Sequence, residues 1–446
     1  MKPVKLISCL FALLLPQWGL AAPVSLEEAI RDALDHAPAL QSAMAARNSA
    51  REDRLLGRAW LLPYVVTSGS WKSMQQDVVY DRPIALLPLA NEMNMKQQKY
   101  GIKMYQPLFD VEKWSYYEQG KASEAMGEAA FRRSERQTML AAAAAWLDVM
   151  RAHDRLNAAR ASEQAMTRLA EQAKASFDVG LEPVNTSLAA ASRRDLASAQ
   201  RIRAEQALEQ SRAVLSSLLG HDADVAANAT PQLVPLKMKP QQEWLQQVDH
   251  ADQVQLAERS VDLAEAGKLK AIGAALPKVQ FVAGWDREKS SSGTFGTGSH
   301  TQTGYFGVEM TMPLYAGGST WAQQRKSEQE KIKAAADLDE AKRSTQLAIR
   351  QAWLQWQGTG YEMDAMKAAL TSANAEQEAA RAGFEVGLRT MTEVLDAEER
   401  LASARAGYAD SVASQGMAAL QLYAAVGELG ERQVSEVQGW LTGSVH

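Results

Sequence analysis

Two stretches of the chain alternate apolar and polar residues with period two. Val279, Phe281, Ala283 and Trp285 alternate with Lys278, Gln280, Val282 and Gly284; Phe306, Val308, Met310 and Met312 alternate with Tyr305, Gly307, Glu309 and Thr311. This alternation predicts β-strands with one apolar and one more polar face. A second pair lies upstream: Tyr100, Ile102 and Met104 oppose Lys99, Gly101 and Lys103, while Val65, Thr67, Gly69 and Trp71 make a weaker stripe. Either side of the strands the pattern becomes helical. Amphipathic helices are expected over Ser25–Ala59 and Trp244–Ala274, each ending before Leu-Pro because proline disfavours the α conformation in the preceding residue. Proline-free runs follow Pro107 and Pro313, from Leu108 to Phe177 (70 residues) and from Leu314 to Phe384 (71 residues). As helices these would reach roughly 105 Å at about 1.5 Å per residue. Shorter helices then return, over Ser187–Leu219 and Glu393–Val426.

These elements occur twice. "LLPYVVTSGSW" from Leu61 matches "ALPKVQFVAGW" from Ala275, with Pro63/Pro277 and Trp71/Trp285 both 214 residues apart. "YGIKMYQPLF" from Tyr100 matches "FGVEMTMPLY" from Phe306 at an offset of 206, and "SFDVGLEP" matches "GFEVGLRT" with Gly180 and Gly387 207 apart. The change of offset marks a longer insertion between the strands of the first copy. The chain divides into a first repeat over 22–220 (β-hairpin 63–107, tip turn 177–186) and a linker over 221–243. A second repeat spans 244–427 (β-hairpin 277–313, tip turn 384–392), and a closing segment 428–446 follows.

An apolar strand stripe suits a soluble sandwich core or the lipid face of a barrel, and the pattern alone does not choose. Four strands cannot close a barrel, so that reading requires several chains to contribute strands. The run "AAAAAWL" from Ala141 allows close helix approach, and equally serves as helix-propensity filling.

Composition narrows the options. Lys and Arg number 48 against 53 Asp and Glu, a net charge of −5, without the basic excess that a nucleic-acid partner favours. The start reads as a secretory leader over 1–21: Lys2 and Lys5, an apolar "LISCLFALLL", then small residues, with the mature chain starting at Ala22. "LISC" formally resembles a lipobox ending at Cys9, but only Val4, Leu6 and Ile7 would then form its apolar stretch, which argues against lipidation. Removing the leader removes the one cysteine, so disulfides and thiol chemistry are not expected. No later apolar run approaches the roughly 18–20 residues of a membrane-spanning helix. The six histidines show no metal-ligand spacing, and "SSSGTFGTGSH" from Ser290 lacks the helix and lysine of a phosphate loop. No enzyme, cofactor or metal site is expected.

In order and in twofold recurrence, "SLEEAIRDALDHAPAL", the "LP" before each first strand, "QPLFD", "MPLYAGG" and the two "VGL" turns resemble the TolC family of outer-membrane channel proteins. The resemblance spans nearly the whole mature chain. It implies an α+β membrane protein with an internal twofold repeat: a homotrimer in which four strands per chain close a twelve-stranded transmembrane β-barrel in outer-membrane lipid. Long helices would form a coiled-coil barrel across the periplasm, and segments near 221–243 and 428–446 a belt. It also implies an export duct docked to a periplasmic adaptor and an inner-membrane transporter, an ABC pump for type I secretion or an RND-type pump for drug or metal efflux.

The same resemblance assigns residues. Arg389 looks like the arginine that ties neighbouring coiled coils together in the closed state, with Asn185 in the place of its threonine partner. Phe384 and Thr186 stand where a tyrosine–aspartate bond would be, so that bond is lost and fewer closing links are expected. Glu393 and Asp396 look like the acidic residues ringing the periplasmic aperture; three apart, they share a helix face. Outside the resemblance, they read as a solvated acidic patch favoured at a helix N-terminus. Val179, Gly180, Leu181, Val386, Gly387 and Leu388 form the tips expected to meet the adaptor; read by themselves, they are turns that reverse two helices. Lys103 and Glu309, repeat equivalents on the more polar strand faces, are expected to line the lumen and to pair there.

Overall fold

A computed structural model describes residues 23–77, 92–225, 238–292 and 297–443. The leader with its Ala22 start, the first inter-strand insertion and much of the 221–243 linker lie outside them. The first half runs α1 (Leu26–His36), α2 (Pro38–Ala59), β1 (Tyr64–Asp77), β2 (Glu92–Phe109), α3 (Val111–Asp178) and α4 (Val184–Leu219). The second runs α5 (Gln241–Leu245), a 3₁₀ turn (Val248–His250), α6 (Asp252–Gly273), β3 (Lys278–Ser290), β4 (Ser299–Thr311), α7 (Ser319–Glu385) and α8 (Met391–Ala425), and α9 (Glu431–Thr442) closes the chain.

Three sequence expectations need correction. The helix expected over Ser25–Ala59 breaks at Ala37, whose ψ of 120° is extended because Pro38 follows. Its counterpart over Trp244–Ala274 breaks at Ala251, with ψ of 137°. The second long helix begins at Ser319 rather than Leu314, after a Gly317-Gly318 turn.

The long helices keep almost their full expected length: α3 has 68 residues and α7 has 67, about 100 Å each. Asp110 caps α3 by accepting a hydrogen bond from the Lys113 N–H at 3.0 Å. Buried positions on α7 recur at sevens, Ser327, Ala334 and Ala341, and again Ala373 and Ala380, the repeat of a left-handed coiled coil. The first three lie on the stretch of α7 that faces α6, where Lys268 and Glu265 pair with Glu328 and Lys331, and the last two on the stretch that faces α8, where Gln377 bonds Glu398. Between α2 and α3 the approach is close. A Cβ on Gly57 would lie 2.5 Å from the Tyr116 carbonyl oxygen, and one on Gly120 2.5 Å from that of Asp53, so neither position takes a side chain without separating the helices.

The main apolar core sits midway along the long helices. Leu26, Ile30 and Ala33 of α1 pack with Ala142, Trp146 and Val149 of α3, Leu215 and Leu219 of α4, Leu420 of α8 and Trp440 of α9. The alanine run is therefore a packing surface, and the Trp146 indole N–H donates to the Val24 carbonyl at 2.9 Å. Trp244 meets Tyr423 edge-on at 5.6 Å. The repeat persists here: Gly220 packs on His36, and Gly427 on the backbone of His250, which accounts for the paired histidines without ligation.

Farther along α3, burial pushes the Asp154 carboxyl up to about 6, against a smaller opposing pull from His153. An acid whose folded pKa is raised binds its proton more readily in the folded state, so its contribution to stability falls as pH rises from about 4 to about 6. Asp154→Asn should gain about 1–2 kcal/mol near pH 7 and nothing below about pH 4. Thermal melts at the two pH values check this.

Candidate functional site

Two regions carry the expected chemistry: the sheet and the helix-hairpin tips. The four strands form one antiparallel sheet in the order β1-β2-β3-β4, which leaves an edge of β1 and an edge of β4 unpaired within the chain. The register aligns Thr67, Ile102, Trp285 and Gly304 in one row and Val65, Met104, Ala283 and Phe306 in the next. Strand alternation then gathers Val65, Ile102, Met104, Phe281, Trp285, Phe306, Val308 and Met310 on one face. Ser68, Lys99, Lys103, Asp286, Glu288, Thr303 and Glu309 fall on the other.

Lys103 and Glu309 share that polar face but do not pair. β3 lies between their strands; Lys103 aligns with Gly284 and, beyond it, Tyr305. Its ammonium lies beside Tyr305, whose ring lies over Gly284. Glu309 instead accepts from the Gln280 amide at 3.2 Å. Repeat equivalence put the two residues at matching places in β2 and β4, and those strands are not neighbours.

At the first tip, Gly180 takes φ of 77°, and the Gly180 and Leu181 N–H groups donate to the Phe177 and Ser176 carbonyls, each at 2.8 Å. At the second, Gly387 takes φ of 74°, and the Leu388 N–H donates to the Gly383 carbonyl at 2.7 Å. These left-handed turns satisfy the last helical carbonyls and turn the intervening side chains outward. Leu181 is 80% exposed and Leu388 82%; Val179 and Val386 are exposed beside them.

The acidic pair is engaged. Thr390 caps α8 through a capping box: Glu393 accepts the Thr390 N–H at 2.7 Å, and the Glu393 N–H reaches the Thr390 hydroxyl at 3.3 Å. Arg389 donates to the same carboxylate at 2.7 Å. The Thr390 N–H and then the Arg389 guanidinium hold the Glu393 carboxyl below the usual range, so it stays ionised at neutral pH. Within the chain Arg389 is thus paired with Glu393 and not with Asn185, which is exposed on the first turn of α4. Arg389 precedes the Thr390 cap, and its i,i+4 partner Glu393 lies in the first turn of α8. Phe384 packs against an apolar cluster of Met166, Leu169, Ala173, Met391 and Leu395, and its ring has no hydroxyl to offer Thr186.

The connection between the two coiled coils lies elsewhere. Arg193 of α4 forms an ion pair with Asp396 of α8 at 2.5 Å, and Arg155 of α3 holds Asp410 of α8 through two hydrogen bonds of 2.7 and 2.5 Å. Neither arginine carries a local sequence signal that would single it out.

Residues 29–221 and 246–428 each match the family described as outer membrane efflux protein. The chain is 27% identical to the outer membrane protein TolC of Vibrio cholerae over 429 residues, covering 94% of each. It is 26% identical to the alkaline protease secretion protein AprF of Pseudomonas aeruginosa over 383 residues, 83% of this chain and 78% of AprF. The crystal structure of the outer membrane protein VceC of Vibrio cholerae superposes with a TM-score of 0.76 at 18% identity, covering 90% of this chain and 96% of that one. The chain belongs to the outer membrane efflux protein family, the TolC family of export channels that sit in the outer membrane and extend through the periplasm.

Proposed function

We propose that three copies of this chain form the exit duct of a type I protein secretion machine. The observation that carries the trimer is the sheet: four strands with one apolar face, one polar face and two unpaired edges. Pairing β4 of one copy with β1 of the next closes twelve strands, removes the edges and turns the apolar face to lipid. A second feature agrees. Leu347, Leu354 and Tyr361 of α7 are exposed at sevens, an apolar stripe of coiled-coil period that a neighbouring copy would cover.

Below the barrel the helix hairpins would make a conduit whose entrance is lined by Glu393 and Asp396, six carboxylates under threefold symmetry. Such a ring favours cations. The tips at Val179–Leu181 and Val386–Leu388 would meet the periplasmic adaptor, which joins the duct to an inner-membrane ABC transporter. Replacing Leu181 and Leu388 together with aspartate should reduce adaptor capture by roughly tenfold or more, the loss expected when exposed apolar anchors become charged. Trimer stability and conductance should not change. Undiminished capture would make these residues turns only.

The type I reading is supported by likeness to AprF, whose name assigns it to alkaline protease secretion. The runner-up, the outer component of a multidrug or metal efflux pump, is favoured by the family description. The chain can be expressed in a host lacking its own outer-membrane channel, with either a protease-exporting ABC transporter and its adaptor or an RND pump and its adaptor. Protease in the medium supports secretion; restored drug resistance without protease export supports efflux.

A further inference from the structure

On the lipid-facing side of the sheet the chemistry changes above Trp285. The register places Gly69, Tyr100, Arg287 and Gln302 in one row and Trp71, Gln98, Lys289 and His300 in the next, while Lys96 stands opposite Ser73 one row higher. Alternation sends Lys96, Arg287 and Lys289 to the same face as Phe281 and Trp285. All three are exposed, whereas Asp286 and Glu288, between them along β3, are half-buried on the other face.

The two faces also differ in how charge is compensated. On the inward face Lys99 pairs with Glu288 at 3.7 Å and Lys103 lies beside Tyr305. On the outward face no described residue pairs with Lys96, Arg287 or Lys289. The next acids whose register positions fall on that face are Asp77 and Glu92, opposite each other and four residues beyond Ser73 and Lys96, about 13 Å farther along the strands. Below the cations the surface is apolar, and Tyr100 and Trp285, 6.2 Å apart, stand at the boundary, where interfacial aromatics of membrane barrels sit. Arg287 is one pleat beyond Trp285, about 7 Å. The hairpin ends of the sheet lie on this side and the long helices on the other, so this is the outer-leaflet side of the barrel.

Three uncompensated cations at headgroup depth, on a surface that otherwise meets hydrocarbon, call for an anion that belongs to the lipid itself. We propose that Lys96, Arg287 and Lys289 form a docking site for the phosphates of outer-leaflet glycolipid, the diphosphorylated lipid A type of headgroup. The Arg287 guanidinium supplies a fork for phosphate oxygens and the two lysines supply point charges. Gln98, Gln302 and His300 beside them offer further hydrogen bonds. Each trimer would carry three such sites, holding anionic glycolipid around the barrel.

The inference rests on the barrel reading, and its test separates the two. The full chain, purified as a detergent-solubilised trimer, is titrated with diphosphoryl lipid A, with the dephosphorylated lipid and with inorganic phosphate; conductance in planar bilayers is measured on the same preparations. The K96Q/R287Q/K289Q variant should bind diphosphoryl lipid A roughly tenfold or more weakly than wild type, as loss of three cations at an anionic surface implies. It should conduct normally, and K72Q, a charge removed from the inward face, should bind as wild type does. Equal affinity of the triple variant and wild type, with both conducting, overturns the lipid site and leaves the duct intact. Displacement of lipid A by an equal concentration of inorganic phosphate overturns it in favour of a simple anion site. A wild-type protein that forms no conducting trimer removes the barrel and the site together.

Discussion

Val308→Arg should abolish assembly of the trimer in the outer membrane. Val308 lies on the apolar face of β4, 63% exposed in the single chain, between Phe306 and Met310 on the same side. Arginine at the middle of a barrel's lipid face costs about 2–4 kcal/mol. Threefold symmetry repeats that cost in every copy, so the assembly loses roughly 6–12 kcal/mol, comparable with the whole stability of an ordinary domain. Thr303→Arg, on the opposite face of the same strand, puts the same charge into a wet lumen and should leave the trimer intact. Heat-resistant trimer on gels of outer-membrane extracts reads both variants. A normal Val308→Arg trimer would mean that this face does not meet lipid.

The second large effect concerns the entrance. Glu393 is neutralised by Arg389, just before the cap of its helix, and Asp396 across the coils by Arg193, so removing each partner has its own sign. Glu393→Ala leaves Arg389 unopposed and should shift the channel away from cation selectivity. Asp396→Ala removes a carboxylate and also the tie between α4 and α8; selectivity should fall while conductance rises. Arg193→Ala breaks the same tie but frees the carboxylate, so conductance and cation preference should rise together, with stronger block by divalent cations. Acidification acts as Glu393→Ala does once that carboxylate protonates, and Glu393 holds its charge to lower pH than an ordinary glutamate because its folded pKa is depressed. Single-channel reversal potentials in a salt gradient distinguish the three variants. Identical selectivity in all of them would remove Glu393 and Asp396 from the aperture.

The strands were readable because a sheet with one face in lipid must alternate apolar and polar residues, and each copy shows that alternation. The long helices were readable because proline is missing from both runs. The breaks at Ala37 and Ala251 were harder. The proline rule that ends the helices before Leu-Pro also operates at Ala37-Pro38; in the second copy Asp252 replaces the proline, and only the repeat indicates that the backbone turns there. Thr390-Met-Thr-Glu393 has the spacing of a capping box, a local signal that reveals what holds Glu393. Arg193 had no such signal. It sits in an arginine-rich helix and meets Asp396 across 203 intervening steps of chain, a contact that only the packing of two coiled coils creates. Lys103 and Glu309 show the opposite error, since a repeat fixes equivalent positions and not neighbours.

In the proposed assembly, four amphipathic strands per copy close, in threes, into a membrane pore continuous with the helical conduit. Single-channel recording of the purified full chain in planar bilayers tests it most directly, with the oligomeric state of the same sample measured in detergent. Such a pore gives uniform conductance steps from a heat-resistant trimer; a water-soluble monomer that passes no current would rule it out.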